Sequence, residues 1–158
     1  MKFIGIIPAR YASTRFPAKP LAILGGKTVI ERVYRQVEGI LDHVVVATDD
    51  ERILKAVEAF GGEAVMTSVN HKSGTDRVHE AFTKVGMGYD VVVNIQGDEP
   101  FIHAQQLESI RQCFANNIGS IYNTRRFDYS AYETGLKLEE IKKIREYQQI
   151  SYGQYGNF

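Results

Sequence analysis

Phe3-Ile4-Gly5-Ile6-Ile7-Pro8-Ala9-Arg10-Tyr11-Ala12-Ser13-Thr14-Arg15-Phe16-Pro17-Ala18-Lys19-Pro20 decides how the rest of the chain is read. Its first five residues form a continuous β-branched and apolar run, the pattern of a strand buried on both faces, expected to stop at Pro8. The residues that follow hold three cations and no acid. Prolines at both ends and in the middle restrict this loop, and small residues at 9, 12 and 13 let backbone N–H groups approach a ligand. Arginine forks and a lysine point charge suit a polyphosphate, because they neutralise several oxygens at once. Alone, such a cluster reads more readily as a solvated basic loop. Its place directly after a buried strand turns the reading toward phosphate binding.

Outward from this stretch, short apolar runs alternate with segments of helical period. Val29 to Glu38 is expected to be a helix with Val29, Ile30, Val33 and Val37 inward. His43–Thr48 is the second strand. Asp49 or Asp50 then caps a helix that buries Ile53, Leu54 and Val57 and ends at Gly61-Gly62. Ala64–Met66 is a short strand, Thr75–Val85 a helix, Asp90–Ile95 the fourth strand and Ala104–Phe114 a further helix with Leu107, Ile110 and Phe114 on one face. This βαβαβαβα order implies an α/β fold, a Rossmann-like parallel sheet with helices on both faces, in which ligands bind beyond the carboxyl ends of the strands. Three segments lie there: residues 8–20, 48–49 and 96–100.

Each segment carries its own chemistry. Asn94-Ile95-Gln96-Gly97-Asp98-Glu99-Pro100 ends a strand in a sharp turn that points a carboxylate away from the sheet. Mg²⁺ accompanying a nucleoside triphosphate takes one or two protein carboxylates plus phosphate oxygens and water, a role that suits Asp98 as well as turn capping does. The cationic loop expected on the same edge favours the metal. His71-Lys72-Ser73-Gly74-Thr75-Asp76-Arg77 precedes a helix; its N–H groups and hydroxyls suit a base edge or ribose, and equally a simple helix cap with Arg77 solvated. Thr48-Asp49-Asp50 divides in the same way between cap and ligand contact. Gly25-Gly26-Lys27-Thr28 ends like a Walker A loop, but the earlier glycine would fall at Leu21 and no strand precedes it, so a turn feeding the next helix is expected. His43, His71, His79 and His103 lack metal-ligand spacing, and Cys113 reads as a packing residue.

The 158 residues suit one domain with a real core. Equal numbers of acids and bases, 19 of each, argue against a general nucleic-acid or membrane surface. The single cysteine excludes an internal disulfide and a multi-thiolate zinc site. No signal peptide or membrane-spanning run is legible, so a cytoplasmic protein is expected. From about Ile118 the pattern changes: six of the nine tyrosines lie in residues 118–158, with no valine and no proline. Residues 136–147 suit one charged helix, and 151–158 look unstructured.

The quoted motifs resemble those of the 3-deoxy-manno-octulosonate cytidylyltransferases, the CMP-Kdo synthetases. Ile6–Leu21 is similar to that family's opening signature. Val45–Asp50, Ser73–Arg77 and Val93–Pro100 are similar to its next three motifs, in order and suitably spaced. Sialic-acid cytidylyltransferases share the plan, but with a first loop richer in Gly and Ser. The resemblance implies a nucleotide-diphospho-sugar transferase fold over residues 1–117. It implies that CMP passes from CTP to the acidic sugar Kdo with release of pyrophosphate, for lipopolysaccharide biosynthesis in the cytoplasm. Pro8, Ala9, Arg10, Ser13, Arg15 and Lys19 would then line the nucleotide, with Arg10, Ser13, Arg15 and Lys19 on the triphosphate. Ala9, Gln96, Ser73, Gly74 and Arg77 would frame cytosine and ribose, and Asp98 would bind Mg²⁺. Arg10, Arg15, Lys19 and Asp98 are the residues expected to carry catalysis. The family forms homodimers, and its second half supplies sugar-binding residues and a further metal-binding Asp. None of these is recognisable in residues 118–158, a divergent tail for which a frameshift or truncation in the gene is the expectation. The alternatives are an inactive nucleotide-binding module, a CMP-sialic acid synthetase-like enzyme, or a short protein whose tail docks a partner.

Overall fold

The computed structural model describes residues 1–12, 16–85 and 88–115. Ser13, Arg15, the expected 136–147 helix and the whole 118–158 segment lie outside the described residues. By its internal contacts the chain divides after Arg111. Of the second unit, residues 112–115 are described, and they form the last turn of a helix.

The strands are β1 (Phe3–Ala9), β2 (Ile23–Leu24), β3 (Lys27–Thr28), β4 (His43–Thr48), β5 (Ala64–Met66) and β6 (Val91–Asn94). The helices are α1 (Val29–Val37), α2 (Glu51–Ala59), α3 (Gly74–Val85) and α4 (Ala104–Ala115). Four strands make a parallel sheet in the order β5-β4-β1-β6. The chain therefore steps outward from β1 to β5, then returns to place β6 on the other side of β1. That reversal makes the crevice between the carboxyl ends of β1 and β6 the switch point of the sheet.

Alternation along the strands sends Ile4, Ile6, Val45 and Ala47 to one face, where Val78 and Ala81 of α3 pack on them. The opposite face carries Phe3, Ile7, Val44 and Val46, all buried. Here α1 and α2 lie together: Tyr34 donates to the Val44 carbonyl (3.2 Å) and meets Phe60 edge-on, ring centres 5.4 Å apart. Gly5 makes room on this face: a Cβ would lie 2.6 Å from Leu41 Cδ1 and 2.8 Å from Ile95 Cδ1, so those side-chain ends would have to shift. The expected α/β fold with covered faces is what forms.

Local chemistry explains the element ends. Thr28 caps α1, accepting from the Glu31 N–H at 3.2 Å, and Asp50 caps α2 through the Arg52 N–H at 2.9 Å. Helix α2 closes in a Schellman motif: Gly61 N–H donates to the Glu58 carbonyl, Gly62 N–H to the Val57 carbonyl, and Gly61 takes φ 82°. Gly25 and Gly26, at φ 56° and 81°, turn the β2–β3 hairpin. The Walker-like stretch is thus a turn feeding α1, as expected.

One expectation is corrected. Strand β1 does not stop at Pro8 but continues through it to Ala9, pairing Pro8 with Ala47 and Ala9 with Thr48 of β4. The Ile6 carbonyl accepts from the Ile95 N–H at 3.0 Å, so Ile6 directs its backbone toward β6. Pro8, two residues on, faces the same way, but beyond Asn94, where β6 has ended. No ladder donor is missed there, and proline is tolerated inside a central strand.

Candidate functional site

The loop leaving β1 is closed at its base by the Ala18 N–H donating to the Tyr11 carbonyl at 2.9 Å. Ala18 sits at φ 59°, the one non-glycine residue with positive φ among the described residues. An alanine held in the left-handed region costs about 1–2 kcal/mol, strain that the surrounding contacts impose on this loop. The turn Lys19–Leu21 follows, anchored by buried Pro20. Within the loop, Ala9 is buried, whereas Arg10 is exposed with no hydrogen bond or ion pair among the described residues.

Lys19 reaches across the switch point to the turn after β6, where its Nζ meets Asp98 Oδ2 at 2.8 Å. That turn is held by the Glu99 N–H donating to the Gln96 carbonyl at 3.3 Å. Gly97 lies against β1 so closely that a Cβ would fall 2.6 Å from the Pro8 carbonyl oxygen. Gly74, at the start of α3, faces the other side of the same proline, its would-be Cβ 3.4 Å from Pro8 Cγ. Pro8 is therefore the point on which three motifs converge: the cationic loop, the Gln96–Asp98 turn and the Ser73–Gly74 helix start. Gln96 and Asp98 are exposed, as are Ser73 and Gly74.

Ser73 caps α3: its Oγ accepts from the Asp76 N–H (3.1 Å) and donates to Asp76 Oδ2 (2.7 Å). Arg77 corrects the solvated alternative. Only 3% exposed, it donates to Asp49 Oδ2 at 2.6 Å and to Thr67 Oγ1 at 2.5 Å. Thr67 in turn donates both its N–H and its hydroxyl to the Thr48 carbonyl, at 2.7 and 3.0 Å. The guanidinium thus ties the ends of β4 and β5 to the first turn of α3. The segment between β5 and α3 is held from behind by Glu80, which accepts from the Ser68 N–H (2.9 Å) and pairs with Lys84 (2.7 Å) and His71. Lys84, Ser68 and His71 together hold its carboxyl at about 2. At the opposite end of the site, partial burial raises the Glu99 pKa, and the neighbouring Asp98 charge adds to this.

Two residues that the sequence reading did not single out contribute. Arg52, at the start of α2, is gripped by Asp50 through Nε (2.8 Å) and Nη2 (2.6 Å), and its Cζ lies 3.3 Å from the centre of the Tyr11 ring. Asn94, on the α3 face at the end of β6, has a buried Oδ1 with no hydrogen-bond partner among the described residues. The Asp-Asp-x-Arg spacing after β4 was a signal for the first; nothing in the local sequence marks the second.

A family model described as Cytidylyltransferase matches residues 4–153. The chain belongs to the cytidylyltransferase family. A 3-deoxy-manno-octulosonate cytidylyltransferase of Phocaeicola vulgatus is 78% identical over 114 residues, covering 72% of this chain and 45% of the relative. That of Bacteroides thetaiotaomicron is 74% identical over 114 residues, covering 72% and 46%. Among solved structures, a CMP:2-keto-3-deoxy-manno-octonic acid synthetase complexed with CTP superposes with TM-score 0.71 at 42% identity, covering 75% of this chain and 49% of that one. A cytidylyltransferase from Leptospira borgpetersenii gives TM-score 0.63 at 26% identity, covering 75% and 51%. The chain spans about half the length of the curated relatives it matches. For this cytidylyltransferase chain, the switch-point crevice is where the sequence motifs meet. Among the described residues no helix is long and apolar enough to cross a membrane.

Proposed function

We propose that this chain forms the nucleotide-binding part of a CMP-Kdo synthetase, an enzyme that transfers CMP from CTP to Kdo and releases pyrophosphate. The observation that carries the proposal is the convergence on Pro8. Lys19 and Asp98 face each other at 2.8 Å across the switch point, and the start of α3 adjoins the same proline. A cationic loop, an exposed carboxylate and a helix N-terminus around one crevice are what a metal-bound nucleoside triphosphate requires. The names of the relatives from Phocaeicola vulgatus and Bacteroides thetaiotaomicron support cytosine as the base and Kdo as the acceptor.

In this reading Arg10, Arg15 and Lys19, with Ser13, hold the triphosphate. Ala9, Gln96, Ser73 and Gly74 frame cytosine and ribose, and Pro8 sets the floor between them. Arg77 acts from beneath, since its donors are engaged by Asp49 and Thr67. The donor set fits Mg²⁺: Asp98 offers an exposed carboxylate, and among the described residues no group of three metal-binding side chains competes to enclose an ion. Mg²⁺ held there would neutralise phosphate charge during transfer. The anomeric hydroxyl of Kdo attacks the α-phosphorus in line and gives its proton to solvent, while the bond from the α-phosphorus to the bridging oxygen breaks and that oxygen departs with pyrophosphate. Lys19 and the two arginines favour the charge that develops on the leaving group. A cytoplasmic setting is part of the same reading.

The competing reading is a nucleotide-binding module that takes CTP without turning it over. Incubating the purified chain with CTP, Mg²⁺ and Kdo and measuring pyrophosphate separates the two. Release that is lost in Asp98→Ala supports the enzyme, and binding without release supports the module. Turnover with sialic acid in place of Kdo would reassign the acceptor.

A further inference from the structure

The paired aspartates after β4, Asp49 and Asp50, point in different directions, and each grips a different arginine. Asp49 takes Arg77 of α3 at 2.6 Å, with the guanidinium 3% exposed and shared with Thr67. Asp50 takes Arg52 of α2 in a bidentate pair at 2.8 and 2.6 Å, and that guanidinium lies over the Tyr11 ring at 3.3 Å. Tyr11 belongs to the cationic loop and its carbonyl closes that loop's base. Arg77 belongs to the first turn of the helix whose start adjoins Pro8. The two aspartates therefore connect, through one arginine each, the two halves of the crevice. The bidentate Asp50 carboxylate fixes the plane of the Arg52 guanidinium, and the Arg77 guanidinium is fixed instead by two partners, Asp49 through Nη2 and Thr67 through Nη1.

We propose that Asp49 and Asp50 are positioning residues forming a two-armed brace. The Asp50–Arg52–Tyr11 arm sets the loop that receives the triphosphate, and the Asp49–Arg77 arm sets the α3 start that receives base and ribose. The inference rests on the nucleotide reading above and assigns a separate job to each arm. Neither aspartate touches the ligand. Each acts through its arginine, so its loss shifts affinity for one end of the nucleotide and leaves the other end untouched.

The test compares CTP and CMP binding to the full chain by calorimetry in the presence of Mg²⁺. Arg52→Ala and Tyr11→Ala each remove the stacked contact of the first arm. An exposed cation–π contact of this kind corresponds to about two- to fivefold in affinity. CTP is expected to weaken by that factor while CMP is unchanged, and the double variant is expected to be no worse than either single one. Asp49→Asn is expected to weaken CTP and CMP by equal factors. A structural loss would lower both ligands, so in Arg52→Ala and Tyr11→Ala the CTP-to-CMP ratio reports positioning, whereas for Asp49→Asn an unchanged melting temperature beside the equal loss does so. Circular dichroism melts identify any Asp49 variant that fails to fold, and the surface arm, Arg52 and Tyr11, then decides the matter. An unchanged CTP-to-CMP ratio in Arg52→Ala and Tyr11→Ala overturns the brace while leaving nucleotide binding intact. Absence of CTP binding by the unsubstituted chain overturns the nucleotide reading and the brace with it.

Discussion

Replacing Arg77 by Met should cost this fold more than any surface substitution. Methionine matches the length of the aliphatic stem and keeps the packing beside Val78 and Ala81, so the change isolates the guanidinium. Two bonds are lost, to Asp49 at 2.6 Å and to Thr67 at 2.5 Å. The larger effect is on what remains. Asp49, its side chain only 14% exposed, keeps a charge with no counter-ion. Removing one partner of a buried pair costs about 3–5 kcal/mol, because the other charge stays desolvated. Typical domain stability is about 5–15 kcal/mol, so the variant should lose a large share of its margin. Urea unfolding followed by circular dichroism measures this as a lower midpoint at unchanged slope. Adding Asp49→Leu should restore much of the loss, since an apolar pair removes the orphaned charge. A cost below about 1 kcal/mol for Arg77→Met, the range of surface ion pairs, would refute the reasoning. So would an Asp49→Leu background in which Arg77→Met costs as much as before.

Three further outcomes are expected. Lys19 and Asp98 satisfy each other in the free site at 2.8 Å, both roughly half-exposed. Asp98→Asn should therefore raise CTP affinity measured calorimetrically in EDTA by about two- to fivefold, the scale of an exposed pair, while the gain conferred by Mg²⁺ falls; weaker metal-free binding would contradict this. Gly97→Ala places a methyl 2.6 Å from the Pro8 carbonyl, so the turn must move, at about 1–3 kcal/mol in denaturant unfolding and with reduced CTP affinity. Glu80 has its carboxyl held near 2 against an ordinary 4.5. The stability this provides is fully present above about pH 4.5 and is lost as pH falls toward 2. Glu80→Gln should flatten the acid limb of a melting-temperature profile over that window, and an unchanged limb would show that the pairing is not made in solution.

The sheet was legible because its strands are short β-branched runs and its helices carry caps that can be spotted residue by residue. Thr28, Asp50 and Gly61 each do locally what their side chains or backbone freedom predict. Pro8 was misread for an instructive reason. Whether a proline ends a strand depends on which neighbour its nitrogen would face, and the sequence does not say that β6 ends at Asn94. Lys19 and Asp98 stand out in the sequence because phosphate and metal chemistry restricts the usable residue types so severely. That they meet across the crevice depends on a strand order, β5-β4-β1-β6, which alternation alone does not specify. Arg77 marks the deeper difficulty. Its position beside Val78 and one turn before Ala81 puts it on the inward stripe of α3, yet a charge on that stripe reads as solvated until its counter-ion is known. The counter-ion lies 28 residues away at the end of another strand. A buried ion pair is a property of two elements at once, and neither half of it carries a mark of its own. The residues that touch a ligand are constrained by chemistry and can be read one at a time. Those that hold the ligand-binding residues in place are constrained by geometry and become visible only when the strands are side by side.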